Sequence, residues 1–285
     1  DELDRIPILE YAQGNGDALK KAEDDFFGRW VDYKRHAQFS GILLRGENSD
    51  CLFYKVNHQV VDSGATKELA YLLSQIYREL LADSGYEPAP NLGSRSEWQV
   101  LKRVLPQAFF KLIWLNIKQN FANLVPFQSI KYPSGLLKKG QPIYIVKRLD
   151  RQKVEAIKNF GKQHDATIND VVAAAIMRAL IRNTGWDRNG QLRMAGTVDI
   201  RRFLPDKKGA ALCNLSSFYY TNLGLDPGKS FLDTLVKLKA QIDYDKKNYI
   251  GLPLILGSLL ASFPYPNIIL RPVVGRIIFA SGKSS

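Results

Sequence analysis

"VNHQVVDSGATKELAYLLSQIY", residues 56–77, runs from the end of an apolar strand through His58 and Asp62 into an amphipathic helix, and its reading decides the fold. The strand itself, "SDCLFYKVNH" at 49–58, follows a "GENSD" turn and is rich in β-formers. Side chains two apart share one face of a strand, so Leu52, Tyr54, Val56 and His58 are expected in one inward-pointing row. From 65 to 82, Leu69, Leu72, Leu73, Ile76 and Leu80 recur at helical spacing, which predicts a helix packed beside that strand. Taken alone, His58 is either a base offered at a strand end or a polar residue that closes the strand.

Upstream, "IPILEYA" (6–12) and "QFSGILLRG" (38–46) read as strands around a Gly/Asn turn at 14–16 and a mixed segment at 17–37. Downstream, the loop "SGYEPAPNLGS" (84–94) ends the first helix. "RSEWQVLKRVLPQAFFKLIWLNIKQNF" (95–121) is helical, with Pro106 as a kink or break. "VPFQSIKYPSGLLKKGQP" has little periodicity and reads as a linker between lobes, residues 125–142. Beyond it come a strand "IYIVKRL" (143–149) and a helix capped by Asp150. A second helix, "ATINDVVAAAIMRALIRN" (166–183), opens with a capping-box-like pair, Thr167 and Asp170. Its buried stripe is expected to be Val171, Val172, Ala175, Ile176, Ala179 and Leu180. Strands "LRMAGTVDI" (192–200) and "LSSFYYTNLG" (215–224) and a helix "SFLDTLVKLKAQIDYDKK" (230–247) follow. This alternation predicts an α/β sandwich in two lobes, 1–124 carrying the His/Asp segment and 143–285 after the linker.

A chain of 285 residues with 45% apolar and 11% aromatic content can bury a large core, which excludes a disordered chain. The net charge of +12 points to anionic partners, but its basic residues are scattered as pairs such as Lys138-Lys139 and Arg201-Arg202. A nucleic-acid binder concentrates them on one face or interleaves them with aromatics, so nucleic acid is not the expected partner. Scattered pairs suit a phosphorylated cofactor such as coenzyme A or an acidic carrier protein. Cys51 and Cys213 have no metal-ligand spacing and form no disulfide framework, and a reducing, cytoplasmic setting is expected. No secretory signal is recognised, and His36 and His164 read as surface residues. The apolar run at 249–280 is cut by prolines and Arg271, so it is too short for a membrane span. It is expected to form buried helices or a greasy surface for an acyl chain; peripheral contact with a membrane is the competing reading.

The segment "NHQVVDS" resembles the H-x-x-x-D-G motif of the chloramphenicol acetyltransferase-like superfamily, which includes peptide-synthetase condensation domains, plant acyltransferases and wax ester synthases. "TINDVVAAAIMRAL" is similar to the T-x-N-D-V-x-x-A helix of that superfamily's second lobe. "VDIRRFLP" and the Asn-initiated "NLSSFYYTNL" follow in the family's order. Three departures stand out: Ser63 replaces the motif Gly, Asn57 replaces a frequent first His, and the family's last strands are missing. A positive φ after Asp62 would cost a Ser there of order 1 kcal/mol.

The resemblance implies a two-lobe α/β sandwich of mixed sheets covered by helices, truncated at both ends, with a tunnel between the lobes. It implies transfer of an acyl group from a coenzyme A or phosphopantetheine thioester to a hydroxyl or amine, with no resident cofactor or metal. His58 would be the general base, since imidazole with its unperturbed pKa of ~6.5 can accept the acceptor's proton at neutral pH. Asp62 would pair with Arg201, or alternatively Arg202, as a support of the site. Asn214, Ser216 and Ser217 are candidates to line the tunnel or donate to the oxyanion. A condensation domain acting on carrier-bound substrates and a non-catalytic relative that binds a partner are the rival expectations.

Overall fold

The computed structural model describes residues 9–14, 16–29, 31–32, 34, 37–123, 147–186, 188 and 190–262. The linker expected at 125–142, His36 and the apolar run beyond Ser262 lie outside them. The chain divides into two compact units, one of Asp1–Ser96, Lys139–Ile145 and Gly209–Leu215, the other of Glu97–Lys138, Val146–Lys208 and Ser216–Ser285.

In the first unit, strand β1 (Leu9–Gln13) pairs in parallel with β2 (Phe39–Arg45), and β2 pairs antiparallel with β3 (Asp50–Val56). A parallel neighbour needs a crossover, and helix α1 (Gly16–Gly28) supplies it. The expectation of a mixed segment at 17–37 is corrected here. Leu19, Ala22 and Phe26 recur at helical spacing among the charges, and Phe26 packs on Ile42 and Leu44. Phe53 of β3 meets the same cluster edge-on through Phe27, their ring centroids 5.5 Å apart. The other face of β3 turns to helix α2 (Ser63–Ala82), where the Tyr54 hydroxyl donates to the Thr66 carbonyl at 3.1 Å. Helix α1 thus covers one face of the sheet, and α2 meets β3 on the other through this bond.

Two details of the strand expectation change. Strand β3 stops at Val56, so His58 sits in the following turn and does not continue the row of Leu52, Tyr54 and Val56. Leu52 is exposed and Tyr54 and Val56 are half-buried, so that row is not the core face; Phe53 lies on the side that is.

In the second unit, α3 (Trp98–Asn123) runs through Pro106 without interruption. The proline removes one N–H bond to the carbonyl of Lys102; both residues are exposed, so water can satisfy that carbonyl and no break is forced. Helix α3 packs on α7 (Leu252–Ser262) and on the short 3-10 helix Ile200–Phe203. It therefore belongs with the second unit, although the sequence placed it within lobe 1–124. Residues 147–149, the described end of the expected strand 143–149, lie outside regular structure.

Helices α4 (Arg151–Gln163), α5 (Ile168–Thr184) and α6 (Phe231–Lys247) accompany the antiparallel pair β4 (Arg193–Asp199) and β5 (Ser216–Asn222). Their starts follow the sequence: Asp150 accepts from Lys153 N at 2.8 Å, and Thr167/Asp170 and Ser230/Asp233 close reciprocal capping boxes. The core is formed by Val171, Ala174 and Met177 of α5 against Leu235 and Leu238 of α6 and Leu192 and Leu223 beside the sheet. On α5 the expected stripe holds at Val171 and is corrected elsewhere: Val172, Ala175, Ile176 and Ala179 are exposed, and Ala173, Ala174 and Met177 are buried in their place. Ala173 and Ala174 bring no bulk to the buried side, which suits close packing of α5 on α6.

Candidate functional site

The turn between β3 and α2 is held by a set of hydrogen bonds centred on Asn57. Asn57 N donates to the Gln38 carbonyl at 2.9 Å, and its side-chain amide to Gln38 Oε1 at 2.6 Å. Its side-chain oxygen accepts from Gln59 N at 3.0 Å, and its carbonyl accepts from Val60 N and Val61 N. Asn57 thus builds the turn that presents His58, a role that its place in the sequence did not announce; an Asn side chain bonding two residues ahead is the available signal.

His58 is exposed in this turn, and its carbonyl accepts from Asn214 Nδ2 at 2.7 Å. Four residues on, Asp62 is only 4% exposed. It is the N-cap of α2: Oδ1 accepts from Ala65 N at 2.8 Å, and Oδ2 from Leu215 N at 2.7 Å. The two backbone donors and the positive end of the helix dipole stabilise its charge where water does not reach. His58 and Asp62 are therefore both tied to the segment Gly209–Leu215, through Asn214 and Leu215. That segment also fits against Gly93, where a Cβ would lie 2.0 Å from the Ala210 carbonyl oxygen.

Ser63 begins α2 and is not among the residues with positive φ, so the strain expected from replacing the motif Gly is absent. The first turn of a helix needs no left-handed residue.

Arg201, Arg202, Ser216 and Ser217 lie in the second unit. "VDIRR" leaves β4 for the 3-10 helix Ile200–Phe203 rather than continuing a strand. Arg201 is buried, its guanidinium 3.1 Å from Asp199 Oδ1, whereas Arg202 is exposed with its guanidinium carbon 5.8 Å from the Phe203 ring centroid. Of the two arginines, the one favoured from the sequence is the one the fold buries. Ser216 opens β5 opposite Asp199. Ser217 is buried, and its hydroxyl donates to the Gly251 carbonyl at 2.7 Å. That bond uses the hydroxyl's one proton, so Ser217 braces β5 against the residue that precedes α7. Asn214 likewise spends a side-chain N–H on the His58 carbonyl. His164, expected at the surface, is half-buried at the C-cap of α4 with its ring 4.6 Å from that of Phe160. Cys51 is exposed and Cys213 buried. Among the described residues no group of His, Cys, Asp and Glu is placed to hold a metal. No described helix is long and apolar enough to cross a membrane.

No family profile and no curated protein matches the chain. Solved structures do. The first condensation domain of the CDA synthetase aligns with a TM-score of 0.58 at 18% identity, over 86% of this chain and 54% of that one. The SgcC5 protein of Streptomyces globisporus gives 0.61 at 13% identity, over 86% and 56%. The X-domain from teicoplanin biosynthesis gives 0.59 at 14%, over 84% and 54%. The chain spans about half the length of the structures that it matches. At these identities the likeness shows the fold.

Proposed function

On the premise of the condensation-domain fold, we propose that this chain is an acyltransferase moving an acyl group from a coenzyme A or carrier-protein thioester to a hydroxyl or amine, with His58 as general base. The observation that supports it is the clamped turn: Asn57, Asn214 and Asp62 hold its backbone on both sides while the His58 side chain remains exposed. A base must meet the proton it removes within hydrogen-bond reach, and a held turn restricts where the imidazole goes. The acceptor's O–H or N–H gives its proton to the imidazole as its lone pair attacks the thioester carbon. The tetrahedral oxyanion then collapses, the C–S bond breaks, and the departing thiolate takes the proton back. Asp62 and Arg201 enter as partners that support the site, and Ser216 as a polar residue near the oxyanion. No metal or resident cofactor takes part in this scheme.

A second reading has its own support. The X-domain, which shares this fold, is solved as a complex with OxyB, so one neighbour is a partner-binding module. The deciding experiment incubates the protein with acyl-coenzyme A or a carrier-bound thioester and a panel of alcohols and amines, and follows free thiol. The transfer reading expects acceptor-dependent thiol release that His58→Ala removes by two orders of magnitude or more, about the weight of a general base. Release unchanged in His58→Ala, or none from the unaltered protein with any acceptor, rejects it and leaves the binding module.

A further inference from the structure

A cavity of about 440 Å³ opens in the second unit and is built from that unit's own residues. That volume falls in the range of small-molecule sites. Three cations line it from three places in the chain: Arg202 at the 3-10 helix, Lys207 in the next turn and Lys246 on α6. Asp199 is the one acidic side chain among the lining residues, which leaves an excess of two positive charges. The floor is apolar, with Val198, Ile242 and Ile250 around the Tyr219 ring.

Two further features single out the cations. Lys246 Nζ lies 4.0 Å from Asp170 Oδ1 and 3.6 Å from Asp243 Oδ1. Asp170 is 1% exposed; its Oδ2 accepts from Thr167 N and Oγ1, whereas Oδ1 has no hydrogen-bond partner. A buried carboxylate with an unfilled oxygen holds a cation near it, so Lys246 is anchored at the cavity wall. Asp243 neutralises Lys246 only in part, because it also pairs with Lys239. Lys207, with Asp206 before it, has a left-handed backbone, φ 53° and 54°, in two successive residues that are not glycine. Such conformations are unfavourable for side-chain-bearing residues and collect where a ligand contact requires them.

We infer that this cavity is an anion site for a phosphorylated small molecule, its phosphate among Arg202, Lys207 and Lys246 and its body on Val198, Ile242 and Ile250. A carboxylate needs one planar fork; cations arriving from three sides match the three terminal oxygens of a phosphate monoester. Asn169, whose amide lies 3.5 Å from the Tyr219 hydroxyl, offers a further donor at the wall. The inference does not rest on acyl transfer and would survive its failure.

Phenyl phosphate is the probe, with phenol and inorganic phosphate as comparisons, titrated into the isotope-labelled whole chain and followed by amide NMR. Phenyl phosphate is expected to shift signals around Asn169, Lys207 and Ile250 and to bind at least tenfold more tightly than either comparison. Arg202→Gln and Lys207→Ala, both at exposed positions that leave folding intact, are each expected to weaken it about tenfold. Lys246→Gln should do the same, with circular dichroism checking that Asp170 has not unfolded α5. Three results overturn the inference: no shifts at about 10 mM phenyl phosphate, affinity unaltered by Arg202→Gln and Lys207→Ala, or phenol or inorganic phosphate binding as tightly as the ester.

Discussion

Asp62 accepts hydrogen bonds from two separate stretches of backbone. Its two oxygens satisfy the Ala65 and Leu215 N–H groups in a buried setting, so truncation strands both donors. Asp62→Ala is expected to lower the unfolding free energy by about 2–4 kcal/mol in urea titration, a lost cap together with buried unsatisfied N–H groups. Asp62→Asn keeps one acceptor oxygen and should lose roughly half as much. Asp245 presents the opposite case. Burial pushes its pKa up to about 6, against a smaller opposing pull from Lys118. Between 3.8 and about 6, the folded state holds a proton that the unfolded chain has released. Stability therefore falls as pH rises through that window, and the ionised carboxylate is the destabilising form. Because Asp245 is only half-buried, solvent screening reduces the effect to about 1 kcal/mol. Thermal melts from pH 4 to 7 should show Asp245→Asn matching the unaltered protein at the acid end and exceeding it at neutral pH.

At the scale of elements, what the sequence conveyed depended on how much of each signal was local. The caps Asp150 and Thr167/Asp170 were legible because they bond three residues ahead, within reach of a short reading frame; Ser230 caps α6 in the same way and was passed over. Strand β3 and helix α2 were legible as elements, but period did not say which face of β3 meets the core. Helix α1 was not, because "KKAEDD" dilutes the few core residues Leu19, Ala22, Phe26 and Phe27. On α5, apolar residues nearly encircle the helix, and period does not say which arc meets α6. Only the packing of Ala173 and Ala174 does. The β4–β5 pair carries a sharper constraint: Gly196 lies opposite Tyr219, and a Cβ there would come within 2.4 Å of Tyr219 Cζ. The ring fills the room that the glycine leaves. Gly196→Ala is expected to cost about 1–3 kcal/mol through overpacking and to shift Tyr219 fluorescence, whereas the same change at the uncrowded Gly16 should cost under 1 kcal/mol.

At the scale of the molecule, helix α3 carries an exposed apolar face among the described residues. Phe110 is 84%, Trp114 65% and Phe121 66% exposed along one side of the helix. Sulfate strengthens apolar association, so light scattering should show the protein associating as ammonium sulfate rises. The double variant Phe110→Ser, Trp114→Ser should remain dispersed at the same salt, and equal association by both would locate the sticky surface elsewhere. From the sequence alone came the α/β alternation, the caps, the order His58, Asp62, "TIND", "VDIRR" and "NLSSF", and with them the fold that solved structures share. These follow from local hydrogen bonding and side-chain period, which act over a few residues. Only the tertiary structure decided that Asp62 caps α2 while holding Leu215, that Asn214 secures the His58 carbonyl, and that Ser217 braces Gly251. Asp62 and Leu215 are 153 positions apart, and no local preference determines which backbone N–H a buried carboxylate will meet at that separation.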